Sequence, residues 1–542
     1  MKKEHNAPTH MHPSMAALAR QATQGQLSRR DFMRRAMALG MAAPFAASLL
    51  SGQAFANTGT PQRGGILKAG MQGGESTDSL DPASWTSQVQ HSFGQSWGEA
   101  LTNVSPEGEL TPRLAESVES SPDARTWVFK LRRGVQFHNG QEMTSADVVA
   151  TLQRHSNEDS QSGALGIMRG IESIQATDTY EVTIVTLEPN ADLPFLLSDY
   201  HLMIQPGGGI DDPAAGIGTG PYKVVELQPG VRQIAERFEG YWNPDEYGFA
   251  DQIEITVIND PTARISALQS GQVHMINRVE PRVVEMVQRL PNIVINNTSG
   301  RAQYVFPMHC DTAPFDNNDL RLALKYAINR DDMVERILRG YGSVGNDFPI
   351  NAAYPLFPDS IPQREFDPER ANYHYKKSGH SSPIVLRTSD VAFPGAVDAA
   401  QLFQQSCAQA GINMEIRREP GDGYWSEVWN KQPFCASYWS GRPTQDQMYS
   451  TAYISSADWN DTRFFRDDFD ALAREARGEL DTTRRAELYH DMAMMVRDEG
   501  GLILPMFNDY IEATLNSVGG WSAHPMGEMM AGFALSKCWL AS

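Results

Sequence analysis

The sequence predicts an α/β protein with more than one domain. Its 542 residues exceed the length of an ordinary single domain. Apolar residues alternate at Trp127, Phe129 and Leu131, which predicts a strand, whereas an apolar stripe from Leu320 to Ile328 repeats at helical spacing. Because both patterns recur along the chain, we expect helices and strands to be mixed.

The early part of the chain is predicted to be rich in strands. The stretch TWVFKLRRGVQFH places Val135 and Phe137 after a Gly turn, which predicts a hairpin. In MTSADVVATLQRH, Thr144 is predicted to cap a helix, with Asp147 three residues later to complete a capping box. A further alternating strand is predicted over Asp251–Asp260.

From Asn318 onward the pattern becomes mainly helical. Asp481 is predicted to cap the last helix, and Gly340 to end the second. The apolar faces of four predicted helices contain Leu320, Ala323, Leu324, Ala327 and Ile328; Met333, Val334, Ile337 and Leu338; Phe469, Leu472, Ala473 and Ala476; and Leu488, Met492, Met495 and Val496. We interpret the methionines as core residues rather than as a soft-metal site.

No sequence motif predicts a cofactor, a metal site or a catalytic centre. Gly340, Gly342 and Gly345 spell GxGxxG, but the pattern follows a helix end, whereas a dinucleotide site needs it between a strand and a helix. The sequence has no GxxxxGK[ST], HExxH or GxSxG motif, and its later histidines are dispersed. We therefore expect no cofactor and no bound metal, and a catalytic triad without a motif stays open.

The four cysteines are scattered and form no CxxC motif. They are Cys310, Cys407, Cys435 and Cys538. An oxidising compartment permits disulfides, for which three pairings are possible. Buried free thiols are the alternative.

The first 56 residues have the pattern of an export signal. The basic segment SRRDFMRR, Ser28–Arg35, precedes an apolar run at Ala36–Leu50, and Ala54 and Ala56 form a cleavage site before Asn57. The beginning of this pattern resembles the twin-arginine signal, which exports folded proteins. A soluble amphipathic helix or a membrane anchor is the alternative, but the apolar run is shorter than the roughly 20 residues that a span needs.

The charge of the chain excludes some classes of partner. The formal net charge is −20, and removal of the basic signal would change it to −25. Nothing in the chain resembles a basic groove, so we expect no nucleic acid partner. No later segment has 18 consecutive apolar residues. We expect a periplasmic protein, exported by the twin-arginine route, without stable membrane insertion after cleavage.

A family resemblance begins at LAESVESSPDARTWVFKLRRGVQFHNGQEMTSADVVATLQR, residues 114–154. This stretch resembles the signature of the peptide-type (family 5) extracytoplasmic solute-binding proteins of ABC importers. Further segments resemble the family's motifs in the same order: GTGPY at 218–222, RISALQSGQV at 264–273, NDLRLALKYAINRDDMVERILRGYG at 318–342 and FDALAREARGELDTTRRAELYHDM at 469–492. The resemblance covers nearly all of residues 62–542. One departure is His274, where the family usually has Asp.

The resemblance implies an α/β, two-lobed periplasmic binding protein fold (cluster C-like, class II) with mixed sheets. Lobe I would comprise residues 62–305 plus 514–542, with a subdomain at about 99–216, and lobe II residues 306–513. Two crossovers, near RAQYVFPMH and FNDYIEAT, would form the hinge. A protein of this kind is not an enzyme. It captures a small peptide or peptide-like solute between its lobes and delivers it to ABC permease subunits, and we expect a monomer.

The loop YWSGRP suggests that the solute is anionic. Trp439 matches an aromatic position of peptide-binding relatives, and Gly441 follows it. Arg442 stands where those relatives carry an Asp that pairs with the ammonium of the peptide. Because a guanidinium pairs bidentately with a carboxylate or phosphate, we expect an anionic group on the ligand, as in an acidic peptide or an opine-like conjugate. In the alternatives, Arg442 pairs with Asp446, or Asp446 itself anchors an ammonium.

Other candidate contacts come from segments that match ligand-contacting loops of the family. They are Thr86, Ser87 and Gln88 near the start of lobe I, Tyr304 and Phe306 at the first crossover, and Tyr424 and Trp425 before the Trp439 loop. For the aromatic candidates, a place in the core is the alternative. A secreted hydrolase of peptide-like substrates, or a nickel- or haem-binding member of the same family, is the alternative function.

Overall fold

A computed structural model describes residues 60–541, except for residues 86, 158, 161, 390, 391, 422, 423 and 458. The predicted signal segment and the candidate Thr86 therefore lie outside the described residues, and of Trp425 only the backbone is described. Within this range, no helix is both long and apolar enough to cross a membrane.

The described chain forms strands β1 to β19. In chain order they span Ile66–Met71, Thr102–Val104, Leu110–Pro112, Ala115–Ser120, Thr126–Leu131, Ile171–Asp178, Glu181–Thr186, Tyr222–Gln228, Arg232–Arg237, Gln252–Val257, Met275–Ile276, Ile293–Pro307, Gly342–Val344, Ile384–Thr388, Met414–Arg418, Ser437–Trp439, Leu502–Leu515, Val518–Gly519 and Trp539–Leu540.

The same part of the chain forms helices α1 to α15. In chain order they span Gln88–Trp97, Ser145–Ser156, Leu165–Met168, Leu193–Leu196, Pro261–Gln269, Val284–Gln288, Asn318–Ala327, Arg330–Arg336, Pro368–Ser378, Ala396–Gln409, Gln445–Ala452, Asp467–Gly478, Thr482–Glu499, Glu528–Ala531 and Ala534–Lys537. Three 3-10 turns lie at Pro82–Ser84, Pro206–Gly209 and Pro281–Val283, and a π turn lies at Tyr424–Val428.

One mixed sheet runs through the whole molecule. Its strand order is β16-β12-β17-β11-β1-β10-β9-β8, with β13 also paired to β17. Strand β1 lies parallel to β10 and β11, whereas β12 and β17 are antiparallel to each other. These two long strands are the predicted crossovers. Their register shifts between Ser299 and Gln303 and again between Tyr304 and Phe306, so the ladder is interrupted where the chain passes from one half to the other.

Separate apolar cores lie on either side of these two strands. We call the half that contains β1–β11 and the segment after β17 lobe I, and the half between β12 and β17 lobe II. Lobe I has one core around Leu67, Trp97 and Ile253 and another around Phe129 and Val148. A third core, around Leu268 and Val287, includes Ile511 and Ala513 of β17. Lobe II has two cores of its own, on the two faces of its part of the sheet.

The predicted hairpin after β5 is wrong. Strand β5 pairs with β4 on one side and β7 on the other, so neither edge is free for residues 135–137. The Phe137 amide instead donates to the Gln141 carbonyl at 2.8 Å, which closes a tight turn. Val135 and Phe137 are buried in the lobe I core around Phe129 and Val148. Their alternating pattern therefore reflects burial on one side of a loop.

The predicted helix caps at Thr144 and Asp481 are confirmed, whereas the end predicted at Gly340 is wrong, because α8 already ends at Arg336 and Gly340 lies in the following turn. The Thr144 amide donates to Asp147 at 2.9 Å, and both halves of the capping box at the start of α2 are present. The Asp481 carboxylate accepts from the Arg484 amide at 2.8 Å and caps α13. The four late helices form where their apolar faces predicted them, as α7, α8, α12 and α13.

All four cysteines are free thiols, so the structure supports free thiols and not disulfides. Cys407, Cys435 and Cys538 are buried, and Cys310 is partly exposed. Burial raises the pKa of each of these thiols, which keeps them in the protonated, weakly reactive form.

Candidate functional site

The loop after β16 is held in place by a buried arginine of the first crossover. The Arg301 guanidinium donates to the carbonyls of Arg442 at 3.1 Å and Pro443 at 2.8 Å, and its plane lies 4.4 Å from the Tyr354 ring centroid. A Cβ at Gly441 would overlap the Cβ of Arg301. The close approach therefore requires a glycine at position 441, and this residue has no side chain with which to contact a ligand.

Arg442 occupies the tip of this loop. Its backbone amide donates to the Tyr354 hydroxyl at 2.9 Å, and its guanidinium donates to the carbonyls of Ser440 at 3.0 Å and Gly441 at 3.2 Å. Over the described chain, the guanidinium has no carboxylate within ion-pair distance. Burial lowers the pKa of Arg442, and the nearby Tyr354, Tyr200 and Asp199 only partly oppose this effect. Arg442 is thus a half-buried cation without a counter-ion.

Lobe I faces Arg442 with a stack of rings. Tyr200 lies with its ring centroid 4.5 Å from that of His91 and 4.1 Å from that of His201. The Asp199 carboxylate lies 2.6 Å from His201 Nδ1. Burial opposes the charge on both groups, but their hydrogen bond prevails: the pKa of Asp199 is lowered and that of His201 is raised. Since His201 neutralises Asp199, this carboxylate does not serve as the missing partner of Arg442.

A second polar cluster of lobe I surrounds Glu528. Its carboxylate lies 2.7 Å from Arg278 Nε and accepts from Asn277 at 2.8 Å, while the Glu528 carbonyl accepts from the Gln88 amide at 3.1 Å. The next residues, Met529–Ala531, have φ of 54 to 58°, so the short element α14 is a left-handed turn and not a regular α-helix. Three consecutive left-handed residues without glycine store strain, and such strain is concentrated at functional sites.

The strained turn is fixed by a buried carboxyl group. The Met529 amide donates to Glu512 on β17. Burial raises the pKa of Glu512 well above its usual range, and the neighbouring Glu528 adds to the effect. Burial and the neighbouring Glu528 thus both favour the neutral form of Glu512, whereas Glu528 is paired with Arg278.

A cavity of about 430 Å³ lies beside this cluster. Its walls include Ser87, Gln88, Asp78 and Arg278. Ser87 also caps α1, where it accepts from the Gln90 amide at 3.3 Å. The structure thus brings the predicted candidates Ser87 and Gln88 together with Arg278, which the sequence interpretation missed.

The predicted aromatic candidates of lobe II lie mainly in its core. Trp439 is only 4% exposed, and its indole N–H donates to Asp461 at 3.1 Å. Trp429 donates to the same carboxylate oxygen at 2.9 Å, and burial raises the pKa of Asp461 to about 6. Tyr424 and Phe306 are fully buried, and the Tyr424 hydroxyl donates to a backbone carbonyl at 2.8 Å.

Tyr304 differs from these core residues because it lies close to the Arg278–Glu528 cluster of lobe I. Its ring stacks on Phe393 at 4.4 Å with an interplanar angle of 7°. Burial raises the pKa of Tyr304 to about 12, with Arg278 opposing this rise and Glu528 adding to it. Tyr304 therefore lies within electrostatic range of the Arg278–Glu528 pair.

Asp446 belongs to a contact between the lobes. Its buried carboxylate binds Arg477 at 3.1 Å, so Asp446 does not pair with Arg442 as one alternative proposed. Beside it, Asp192 of lobe I lies 2.8 Å from Arg485 of lobe II, and the Ala191 amide donates to the Arg477 carbonyl at 2.7 Å. The carboxylate of Asp446 is thus already occupied and is not exposed for a ligand ammonium.

The residues that sequence analysis missed had weak signals. Arg301 could have been noticed as an arginine at the start of an apolar crossover strand. Glu528 and Tyr200 had no distinctive pattern, because the left-handed turn contains no glycine and Tyr200 lies in an irregular stretch. Among the described residues, no group of three or more histidine, cysteine, aspartate or glutamate side chains is arranged to hold a metal ion.

The sequence matches the model of the bacterial extracellular solute-binding proteins, family 5, over residues 109–461. The chain belongs to this family. Curated relatives include the glutathione-binding protein GsiB of Escherichia coli O6:K15:H31, which is 27% identical over 350 residues that cover 63% of this chain and 68% of GsiB. GsiB of Pectobacterium atrosepticum is 25% identical over 354 residues, 63% of this chain and 67% of the relative.

Several solved structures share the fold of this chain. DppA from Helicobacter pylori, in complex with the peptide STSA, has a TM-score of 0.75 at 22% identity and covers 89% of this chain and 99% of its own. AgaA from A. tumefacien R10, in complex with agropinic acid, has a TM-score of 0.73 at 22% identity, with 88% and 99% covered. NikZ from Campylobacter jejuni, in complex with Ni(L-His), has a TM-score of 0.72 at 18% identity, with 86% and 98% covered. The predicted two-lobed α/β binding-protein fold is confirmed.

Proposed function

We propose that this family 5 protein captures a small peptide or peptide-like solute with an anionic group between its lobes and delivers it to the permease subunits of an ABC importer. The observation that carries the proposed charge of the ligand is Arg442, a half-buried guanidinium that has no counter-ion within the described part of the chain. The ligands of solved family members range from a peptide to Ni(L-His). The fold therefore leaves ligand chemistry to the local site.

An anionic group of the ligand would act as a counter-ion for Arg442. Partial burial of a cation costs solvation free energy unless an anion or strong acceptors compensate it. Among the described residues, the acceptors of the Arg442 guanidinium are two carbonyls of its own loop. A carboxylate or phosphate placed between Arg442 and Tyr200 would form a charge-assisted hydrogen bond in a water-poor cleft, where such bonds are stronger than in water.

Lobe I offers complementary groups for the rest of the solute. The Arg278–Glu528 pair presents one positive and one negative group, and Ser87 and Gln88 add uncharged polar atoms. Such a set suits the amide and zwitterionic groups of a peptide-like solute. Trp439 and Asp446 would act indirectly, by holding the lobe II loop and the contact between the lobes.

The proposal also includes the lobe boundaries, the export route, the oligomeric state and binding without turnover. The lobe boundaries would lie at residues 62–305 plus 514–542 and 306–513, and the cores around Leu67 and around Phe306 lie on opposite sides of these boundaries. We further propose export by the twin-arginine route to the periplasm and action as a monomer that binds its solute without turnover. Membership of a family of solute-binding proteins supports the last point.

Mass spectrometry of solute released by denaturing the purified protein would test the proposed ligand class. We expect an intact peptide-like compound with at least one acidic group, in one-to-one amount. Release of a metal complex or haem, or conversion of the solute during incubation, would overturn capture of an anionic peptide-like solute.

Titration calorimetry with the released solute would then test Arg442. We expect Arg442→Gln to weaken binding by about ten- to a hundredfold, the cost of one hydrogen bond to a charged group, and Arg442→Asp to weaken it further. Arg417→Gln, at an exposed position on β15, is the matched control and should leave affinity unchanged. Equal affinity of wild type and Arg442→Asp would refute the anion contact.

A further inference from the structure

A second cavity lies entirely within lobe I. Its volume is about 510 Å³, and its walls come from the β2–β3 hairpin, the segment after β9 and the C-terminal segment, together with Arg113 and Arg132. None of its wall residues belongs to lobe II, and none is a candidate contact of the inter-lobe cleft. The cavity is therefore distinct from the proposed solute site.

In the floor of this cavity, the charge of Arg113 is neutralised by Glu99. The buried Arg113 lies 2.7 Å from Glu99, which also accepts from the Tyr241 hydroxyl at 2.8 Å and the Trp242 indole at 2.9 Å. The Arg113 guanidinium lies 3.9 Å from the centroid of the Tyr247 ring. Because Glu99 neutralises Arg113 and fixes the neighbouring rings, the cavity has a preorganised aromatic wall.

Two further cations rest on this aromatic wall. The Arg132 guanidinium lies 4.6 Å from the centroid of Trp242, and its Nε donates to the Arg113 carbonyl at 2.6 Å. The Lys537 amine lies 5.0 Å from the centroid of Tyr247. Neither side chain has a carboxylate partner among the residues that the structure describes. The rings hold both cations in place and leave N–H groups available to an anion.

The remaining walls do not cancel this positive charge. His524 is neutral, because burial lowers its pKa to about 4, and its Nε2 bonds to the Val104 carbonyl at 3.2 Å. The acidic wall residue is Glu246, which is exposed and accepts from Asn243 at 3.2 Å. An excess of positive charge in a cavity is unusual for a chain of net charge −20.

The geometry points to a second binding site in this cavity, for a small organic anion that carries two or more carboxylate or phosphate groups. Arg132 and Lys537 pair with the oxyanion groups, and Asn103, Ser105 and Thr111 of the hairpin supply uncharged polar contacts. The volume lies within the range of small-molecule pockets, about 300–1,000 Å³. The site is independent of the solute in the inter-lobe cleft.

Titration calorimetry of the full exported chain with citrate, and separately with pyrophosphate, tests this proposal. We expect one-to-one binding of at least one probe, weakened about tenfold or more by the double substitution Arg132→Gln/Lys537→Gln. Binding of citrate alone identifies a carboxylate ligand, and binding of pyrophosphate alone a phosphate ligand. If the double variant does not fold, Lys537→Gln alone should give a smaller loss of the same sign.

Two controls separate this cavity from the cleft and from general charge effects. Lys130→Gln removes an exposed, paired cation of the same lobe and should leave probe binding unchanged. Arg442→Gln should also leave it unchanged. The proposal is overturned if neither probe binds, if the double variant binds as wild type does, or if Arg442→Gln alone abolishes binding.

Discussion

The ion pair between Asp192 and Arg485 is expected to set how firmly the two lobes stay in contact. The two side chains lie 2.8 Å apart and are 2% and 13% exposed, respectively. They stand beside the Asp446–Arg477 pair, so two positive and two negative groups share one buried region. Asp192→Asn removes one negative charge at almost constant volume and leaves a net positive charge in the closed contact.

The expected magnitude follows from burial. A hydrogen bond to a charged group contributes about 1.5–3 kcal/mol, and removal of one partner of a buried ion pair can cost about 3–5 kcal/mol. Because the asparagine side chain in Asp192→Asn keeps a carbonyl acceptor, we expect the lower range. This penalty applies to the closed state alone, since both groups are hydrated when the lobes separate. It corresponds to about a 10- to 100-fold shift toward separated lobes.

Hydrogen exchange of the Ala191 amide measures this shift without ligand. This amide donates across the lobe contact to the Arg477 carbonyl at 2.7 Å, so its protection reports closure directly. We expect exchange at Ala191 to accelerate about 10- to 100-fold in Asp192→Asn, with no change at the paired amides of β12 and β17. Glu475→Gln is the matched control, because it breaks an exposed pair with Arg484 inside lobe II.

Two results would refute this reasoning. Unchanged exchange at Ala191 in Asp192→Asn would mean that the pair does not stabilise closure. An equal acceleration throughout both lobes would mean that the substitution destabilises the whole fold instead of separating the lobes.

Three further predictions concern stability and are measured by chemical denaturation. Gly441→Ala should destabilise the fold by about 1–3 kcal/mol, because its Cβ overlaps Arg301, whereas Gly166→Ala, with open space around it, should be nearly neutral; equal effects would contradict the packing argument. The pKa of Asp461 in the folded protein is about 6, above its ordinary value of 3.8. Its contribution to stability is therefore full below about pH 4 and is lost as the pH rises through 6. Asp461→Asn should reduce this pH dependence, and an identical pH profile of the variant would contradict the contribution of Asp461. Thr144→Ala should cost about 1 kcal/mol by removing the capping box of α2, and no loss would show that the cap is dispensable.

Local signals in the sequence predicted local structure well. The capping box at Thr144 and the cap at Asp481 involve groups three residues apart, so their partners are already present in the sequence. The hairpin at Val135 failed because a strand also needs a free neighbour, and β4 and β7 already occupy both edges of β5. Periodicity reports which residues are buried, but it does not report what they are buried against.

The same distinction applies to the candidate site. The unusual Arg442 was visible in the loop YWSGRP, but its lack of a partner was not, because Asp446 could equally have been its counter-ion. The structure places Asp446 on Arg477, more than thirty residues further along the chain, and brings Tyr200 toward Arg442 from the other lobe. The contribution of Glu528 was equally hidden, since it depends on a left-handed turn formed by ordinary residues.

The sequence by itself predicted the family, the mixed α/β class and the helix caps at Thr144 and Asp481, and it placed Arg442 in the loop after Trp439. These properties depend on residue type and on spacing within a few positions. Only the tertiary structure decided which charges are paired, which aromatic residues are core, and how Arg278 and Glu528 meet Tyr304 beside the hinge. The reason is physical: the free energy of a charge or a ring depends on burial and on its nearest partner, and in a two-lobed chain that partner is often hundreds of residues away.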